Sequence, residues 1–193
     1  MKPCSGALLC GGESSRMGRD KAFLEIHGTP LWKIQLGKLR AVCGDVLICG
    51  NPAQAAFMTT PEARFEPDAT PSLGPLSGLA RALARTRATR VLVLAIDMPK
   101  MTEEYLARLL SLGSDTCGVV PESGGVFEGL CAVYPACLLP IVEALLSGPV
   151  RSLQTLIRSG ISSHRLISHS ISSEDRPLFE NWNAPEDLPQ PGL

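Results

Sequence analysis

Apolar residues along this chain gather in short, nearly unbroken runs that alternate with stretches of helical periodicity. The runs have the length of β-strands and lie at residues 6–10, 46–49, 91–96, 118–121 and 130–134. The run at 91–96, VLVLAI, is apolar without alternation, which is typical of a strand in a parallel sheet that helices cover on both faces.

Between these runs, apolar residues recur with the period of an amphipathic helix. In residues 76–84 they fall at i, i+3, i+4, i+7 and i+8, and residues 138–146 and, more briefly, 106–110 repeat the pattern. Alternating strands and helices predict an α/β fold, a doubly wound three-layer sandwich with a mostly parallel central sheet. Ligands bind such sheets at the carboxyl ends of the strands, so the residues that follow each run are the candidates for function.

The length and charge of the chain favour a single domain and exclude some classes of function. A chain of 193 residues favours a single domain, which we expect over residues 1–188, with residues 189–193 as a tail. The 18 Lys and Arg residues balance 19 Asp and Glu residues, for a net charge of −1, which excludes a broad basic surface for nucleic acid. The aromatic content of 5% is too low for a platform that stacks single-stranded bases.

The sequence shows no clear targeting signal and no cysteine spacing typical of a metal site. The N-terminal apolar run is too short for a signal peptide, and no stretch approaches the roughly 20 apolar residues of a membrane helix. We therefore expect a cytoplasmic protein that does not contact the membrane. The seven cysteines form no C-x-x-C pair and mostly lie in apolar runs, which predicts buried, reduced thiols rather than disulfides or a thiol-based metal module.

A glycine-rich segment with three cations follows the first apolar run. Gly11 and Gly12 let backbone N–H groups approach phosphate oxygens, and Arg16, Arg19 and Lys21 add positive charge. The segment fits neither the Walker pattern nor the dinucleotide-binding pattern. We interpret it as a triphosphate site; the alternative is an ordinary β–α turn with solvated charges.

Asp97 directly follows the run at 91–96 and is predicted to face the same edge of the sheet. Mg²⁺ bound to a nucleotide takes one or two protein carboxylates together with phosphate oxygens and water. The alternative is a turn or a helix cap, for which Thr102, followed by Glu103, is the better candidate. Metal ligation is therefore the prediction for Asp97.

Residues 9–21, LCGGESSRMGRDK, resemble the glycine-loop signature of molybdenum cofactor guanylyltransferases. The segments GTPL at 28–31, GPLSG at 74–78, DMP at 97–99 and FENWNAPEDL at 179–188 extend the resemblance through the whole chain. The family belongs to the nucleotidyltransferases, and the resemblance implies a Rossmann-like fold of the nucleotide-diphospho-sugar transferase type.

The resemblance also implies an activity. Enzymes of this family transfer GMP from GTP to the phosphate of molybdenum-molybdopterin, forming molybdopterin guanine dinucleotide and pyrophosphate with Mg²⁺ as cofactor. It further implies transient contact with molybdenum cofactor biosynthesis proteins and with apo-molybdoenzymes.

Site residues follow from the positions that match the family motifs. The nucleotide-binding residues implied are Leu9, Cys10, Gly11, Gly12, Lys21, Asn51, Asp68 and Asp97. Leu9, Cys10 and Gly11 would act through backbone groups. The family has an asparagine after the second strand, and Cys49 is the alternative to Asn51 for that role.

Catalysis in this interpretation depends on charge rather than on a general base. Arg16 and Lys21 would neutralise the departing pyrophosphate while Asp97 holds Mg²⁺, and the attacking phosphate is already ionised near neutral pH. The pterin-side candidates are Asn181, Asn183 and Arg151. A turn before Pro185 and a solvated position at the start of a helix are the alternatives for Asn183 and Arg151.

Two other functions fit parts of the pattern. A related nucleotidyltransferase would use CTP or act on a sugar phosphate, although Gly11 favours the guanylyl members, since the cytidylyl relatives usually have alanine there. A non-catalytic cofactor-delivery module would keep the glycine loop but would not need both Lys21 and Asp97.

Overall fold

The architecture was examined in a computed structural model, which describes residues 4–11, 20–68, 74–182 and 187. Its strands are β1 (Ser5–Leu9), β2 (Glu25–Ile26), β3 (Thr29–Pro30), β4 (Asp45–Gly50), β5 (Arg64–Pro67), β6 (Arg90–Ala95), β7 (Gly118–Ser123), β8 (Val126–Phe127), β9 (Cys131–Pro135) and β10 (Leu166–Ser170). Its α-helices are α1 (Leu31–Val42), α2 (Ala55–Met58), α3 (Pro75–Arg85), α4 (Glu103–Leu112), α5 (Leu139–Ser147) and α6 (Leu153–Ser162).

One central sheet has the strand order β10-β7-β9-β6-β1-β4-β5, with β8 paired to β7. β1 lies between β4 and β6 and is parallel to both, and β5 is parallel to β4. β9 runs antiparallel to β6 and β7, while β10 is parallel to β7. The sheet is therefore mostly parallel, and the predicted α/β fold class is confirmed.

Helices cover both faces of this sheet. On one face α1 and α4 pack on inward-facing strand residues such as Leu8 and Leu94, and on the other face α3, α5 and α6 pack on residues such as Ala7 and Val93. All six residues of β6 are buried. The unbroken apolar run that predicted a doubly covered strand is explained by this position near the middle of the sandwich.

The predicted helices also lie where the periodicity placed them. α3 contains the stripe at residues 76–84, and α4 contains that at 106–110. Thr102 caps α4, because its hydroxyl accepts a hydrogen bond from the Tyr105 N–H at 3.2 Å. The capping role predicted for Thr102 is confirmed. Within the described residues, no helix combines the length and the apolar character that a membrane span requires.

The prediction of buried cysteines is only partly correct. All seven cysteines are free thiols, and Cys4, Cys10, Cys49 and Cys131 are buried. Cys137 is exposed, so the prediction is wrong for this residue. It lies in a one-turn 3₁₀ helix, Ala136–Leu138, which follows β9 at the edge of the core rather than within it.

Candidate functional site

Four parallel strands end together at one edge of the sheet. Leu9 at the end of β1 pairs with Cys49 of β4 and with Ala95 of β6, and Gly50 pairs with Pro67 of β5. The segments that follow these strands therefore leave the sheet side by side, and they carry the residues that the sequence singled out.

Backbone hydrogen bonds continue past the strand ends and tie these segments together. The Cys10 N–H donates to the Cys49 carbonyl at 2.8 Å, the Ile96 N–H donates to the Leu9 carbonyl at 3.1 Å, and the Asp68 N–H donates to the Gly50 carbonyl at 2.9 Å. The Leu9 carbonyl and the Cys10 N–H are thus already engaged within the protein. A carbonyl oxygen has a second lone pair with which it can accept a further hydrogen bond.

Asp68 follows β5 and is almost fully buried, with 8% of its surface exposed. Its Oδ1 atom is buried and has no hydrogen-bond partner among the described residues. A β-carbon on Gly11 would lie 2.5 Å from Asp68 Oδ2, so a glycine is needed there for this approach. Burial raises the pKa of the Asp68 carboxyl, and the nearby Arg81 charge opposes that effect.

Lys21 and Asp97 form an ion pair across the same edge. Lys21 Nζ lies 3.5 Å from Asp97 Oδ2, and the two side chains are 16% and 23% exposed. Lys21 begins a one-turn 3₁₀ helix, Lys21–Phe23, which Asp20 caps by accepting the Ala22 N–H at 3.0 Å. Asp97 Oδ1 is buried without a hydrogen-bond partner in the described chain. The structure thus brings together the predicted phosphate-binding lysine and the predicted metal ligand.

Three donors from elsewhere in the chain hold the segment that carries Asp97. The Gln35 amide donates to the carbonyls of Ala95 at 3.3 Å and Met98 at 2.8 Å. The Lys38 ammonium donates to the Pro99 carbonyl at 2.6 Å, and the Trp182 N–H donates to the Asp97 carbonyl at 2.9 Å. Burial lowers the pKa of Lys38 to about 8, against the opposing effect of Glu103.

Sequence reasoning missed Gln35, although a signal was present. Gln35 is fully buried and occupies a position on the apolar stripe of α1, between Leu31 and Leu39. A polar side chain at a core position of a helix needs partners, and these are often backbone groups. The interruption of the stripe could therefore have marked a residue that supports the site.

The two candidates at the end of β4 differ in exposure. Cys49 is fully buried in the core, whereas Asn51 is exposed at the edge. Asn51 Oδ1 accepts the Ala53 N–H at 3.0 Å and so caps the one-turn 3₁₀ helix Pro52–Gln54. Asn51 therefore has a structural role in addition to any contact with a nucleotide.

The described residues predicted for the pterin side lie in two different segments. Asn181 lines a cavity of about 400 Å³ together with Lys100, Glu180, Trp182 and Asp187. The hydrogen bond from the Trp182 N–H to the Asp97 carbonyl places one lining residue of this cavity next to the backbone of Asp97. Arg151 lies between α5 and α6, where its Nε–H donates to the Leu146 carbonyl at 3.0 Å and ties it to the end of α5. Gly12, Arg16 and Asn183 lie outside the described residues.

The site suits a cation that substrate oxygens help to hold. The described part of the chain contains no cluster of three or more His, Cys, Asp or Glu residues that could bind a metal ion alone. The buried Oδ1 of Asp97 is a hard oxygen ligand that has no hydrogen-bond partner among the described residues. One such carboxylate, completed by phosphate oxygens and water, fits the coordination of a nucleotide-bound divalent cation.

Comparisons with known proteins relate this chain to one family. The family model described as the MobA-like NTP transferase domain matches residues 6–166, from β1 to the start of β10. A probable molybdenum cofactor guanylyltransferase of Methanothermobacter thermautotrophicus is 35% identical over 192 residues, which cover 95% of this chain and 96% of the relative. The molybdenum cofactor guanylyltransferase of Xanthomonas euvesicatoria pv. vesicatoria is 33% identical over 96% of this chain and 92% of its own length.

Solved structures share the fold over nearly the whole chain. The crystal structure of molybdopterin-guanine dinucleotide biosynthesis protein A from Archaeoglobus fulgidus matches with a TM-score of 0.76 at 22% identity, over 95% of this chain and 94% of the other. A nucleotidyl transferase from Methanothermobacter matches with a TM-score of 0.74 at 16% identity, over 96% and 94% of the two chains.

Proposed function

This chain belongs to the MobA-like NTP transferase domain family, and we propose that it transfers GMP from GTP to the phosphate of molybdenum-molybdopterin. The products are molybdopterin guanine dinucleotide and pyrophosphate. The observation that carries the proposal is the pairing of Lys21 with Asp97 at the carboxyl edge of the sheet, the edge that also holds the buried carboxylate of Asp68. An ammonium group and a carboxylate with a free oxygen, a few ångströms apart, suit a triphosphate with its cation.

The reaction needs positioning and charge neutralisation. A phosphate oxygen of molybdopterin attacks the α-phosphorus of GTP, and the bond from that phosphorus to the oxygen of the leaving pyrophosphate breaks. Lys21 stabilises the negative charge that grows on the leaving group. The attacking phosphate is ionised near neutral pH, so no side chain has to remove a proton.

Asp97 is the residue that would hold the cofactor, for which we propose Mg²⁺. When bound, such a cation supplies charge neutralisation at the phosphate oxygens. Asp97 is suited to this role because Gln35, Lys38 and Trp182 fix the backbone on both sides of it. Its carboxylate is therefore preorganised before substrate arrives.

Asp68 is proposed to bind the nucleotide rather than the cation. Its buried Oδ1 lacks a donor within the described protein, and an N–H or O–H group of GTP would supply one. The other residues proposed to bind the nucleotide are Leu9, Cys10, Gly11, Gly12 and Asn51, and Arg16 is proposed to neutralise the leaving pyrophosphate together with Lys21. The residues proposed for the pterin side are Asn181, Asn183 and Arg151.

The proposed product implies protein partners that supply or receive the cofactor. Molybdopterin guanine dinucleotide is a cofactor for other enzymes, so we expect transient contact with molybdenum cofactor biosynthesis proteins and with apo-molybdoenzymes. A cytoplasmic location remains a prediction from the sequence.

Nucleotide binding and turnover test the proposal in two steps. Calorimetry with GTP, CTP, ATP and UTP, each with and without Mg²⁺, is expected to show binding that is selective for GTP and strengthened by Mg²⁺. With molybdopterin supplied, mass spectrometry is then expected to detect the guanine dinucleotide. Equal or stronger binding of CTP would favour the cytidylyl alternative, and GTP binding without any product would favour a delivery module.

A further inference from the structure

Gln54 is a buried amide that joins three segments at the carboxyl edge. It ends the 3₁₀ helix Pro52–Gln54 and is 5% exposed. Its Nε2 donates to Asp20 Oδ2 at 2.6 Å and to the Cys10 carbonyl at 3.4 Å, while its Oε1 accepts the Asn51 N–H at 2.8 Å. The segments after β1 and β4 and the residue before Lys21 therefore meet on one side chain.

The packing around Gln54 leaves its amide a single useful orientation. A β-carbon on Gly50 would lie 2.3 Å from Gln54 Oε1, so glycine at the end of β4 makes room for it. The acceptor end of the amide faces a backbone N–H, and the donor end faces a carboxylate and a carbonyl. Rotating the amide by half a turn would place like groups against each other at both ends.

A series of contacts connects Gln54 to the ion pair of Lys21 and Asp97. Asp20 uses Oδ2 to accept from Gln54 and Oδ1 to accept the Ala22 N–H, so both of its oxygens are fixed. The Ala22 N–H belongs to the helical turn that Lys21 begins. Lys21 Nζ then lies 3.5 Å from Asp97 Oδ2. The direction in which Lys21 enters the site thus depends on where Gln54 holds Asp20.

We propose that Gln54 is a positioning residue that aims Lys21 at the phosphates of the nucleotide. This inference rests on the proposed function. Gln54 does not need to touch the substrate, because it acts through Asp20 and the helical turn. A displacement of about 1 Å in a group that binds a reacting phosphate costs on the order of a hundredfold in rate, so such an anchor has a measurable effect.

The charge-changing variant Gln54→Glu tests the contact with little change of shape. It keeps an acceptor for the Asn51 N–H, but it replaces the donor facing Asp20 by a second carboxylate oxygen. We expect the Kd for GTP to rise by about tenfold or more, because the two carboxylates repel and displace the turn. The Kd for GMP, which lacks the β- and γ-phosphates, is expected to change by less than about threefold.

A reciprocal variant provides the rescue. Combining Asp20→Asn with Gln54→Glu reverses the donor and the acceptor, because the new amide at position 20 can donate to the new carboxylate and still accept the Ala22 N–H. We expect the Kd for GTP to fall by about threefold or more from its value in Gln54→Glu, with incomplete recovery because a carboxylate oxygen still faces the Cys10 carbonyl. Asp20→Asn alone serves if Gln54→Glu does not fold, and it should weaken GTP binding by an intermediate amount.

Gln154→Glu is a matched control on α6. Gln154 also bridges backbone groups with both ends of its amide, donating to the Phe127 carbonyl at 2.7 Å and accepting the Phe127 N–H at 3.3 Å. Its substitution should leave the Kd for GTP within about twofold, even where thermal unfolding shows a loss of stability.

The outcomes distinguish the positioning role of Gln54 from the proposed function of the protein. Unchanged GTP binding in Gln54→Glu, equal weakening for GTP and GMP, or no recovery in the reciprocal variant would each overturn the positioning role. A lack of GTP binding by the unmodified protein would instead overturn the proposed function.

Discussion

Asp68 and Asp97 occupy equivalent places in the sheet but are supported in different ways. Each follows a parallel strand at the carboxyl edge, and each has a buried Oδ1 without a hydrogen bond in the described structure. Asp97 faces the ammonium group of Lys21 at 3.5 Å. Within the described residues, the opposite charge that acts on Asp68 is that of Arg81, whose guanidinium pairs with Glu66 Oε2 at 3.2 Å.

The supports of the two carboxylates differ as well. The backbone around Asp97 receives hydrogen bonds from Gln35, Lys38 and Trp182, whereas Asp68 is accommodated mainly because Gly11 has no side chain. The first arrangement stabilises the folded chain, and the second leaves an unsatisfied charge within it. Groups left unsatisfied in this way are expected where a ligand completes them.

The largest expected effect comes from removing the charge of Asp97. Asp97→Asn should lower GTP turnover by about a hundredfold or more, because the ion pair with Lys21 is lost and the proposed cation loses its carboxylate. Pyrophosphate release measures turnover, and electron paramagnetic resonance of Mn²⁺ measures cation binding directly. Asp115→Asn is a control, since Asp115 accepts from Thr89 at 3.0 Å on the exposed surface. Turnover above about a tenth of normal in Asp97→Asn would contradict the assignment.

Adding one methyl group beside Asp68 should have the next largest effect. In Gly11→Ala the new β-carbon would lie 2.5 Å from Asp68 Oδ2, so the carboxylate or the backbone has to move. We expect the Kd for GTP to rise by about tenfold or more, measured by calorimetry. Gly37→Ala on α1 is the matched control, because a β-carbon there meets no atom within 4 Å. Normal GTP binding by Gly11→Ala would show that the close approach to Asp68 is not needed.

The smallest effect is on the free energy of unfolding. Its pH dependence is expected to have opposite signs for the buried carboxylate of Asp68 and for a carboxylate that is paired in the folded protein. Burial raises the pKa of Asp68 above its ordinary value of 3.8, so its contribution to stability is fully present below that pH and is lost as pH rises through the folded-state pKa. Asp68→Asn should therefore raise the free energy of unfolding at pH 7 by about 1 kcal/mol, and by less in acid, while weakening GTP binding.

Asp175 provides the comparison for that measurement. Its hydrogen bond with Arg108 lowers the pKa of its carboxyl, and Ser172 adds to the effect. Its contribution is therefore present above the ordinary pKa and lost as pH falls, so Asp175→Asn should reduce stability at neutral pH. Thermal unfolding of both variants between pH 4 and pH 8 checks the two signs. Lower stability of Asp68→Asn at pH 7 would show that its charge is compensated in the folded protein.

The sequence predicted the parts of this site that follow from local patterns. The strand ends, the glycine at position 11 and the carboxylate at position 97 could be placed because each lies next to an apolar run. The supporting groups could not be placed. Gln35 interrupts an apolar stripe, and Gln54 lies at the spacing of a capping box. Neither signal identifies the atoms that these side chains bind farther away in the sequence, the Met98 carbonyl and the Asp20 carboxylate. The burial of Asp68 could not be predicted either, because it depends on how α3 and the segment after β1 pack against its side chain.

The position of Trp182 in the cavity lining also gives the protein an optical reporter. The chain has two tryptophans, and Trp32 is buried in α1 with 4% of its surface exposed. Trp182 lines the cavity beside Asp97 and is bonded to the backbone of that residue. In a Trp32→Phe background, the emission of Trp182 would follow the arrival of ligands at this end of the sheet on the millisecond scale, without a label.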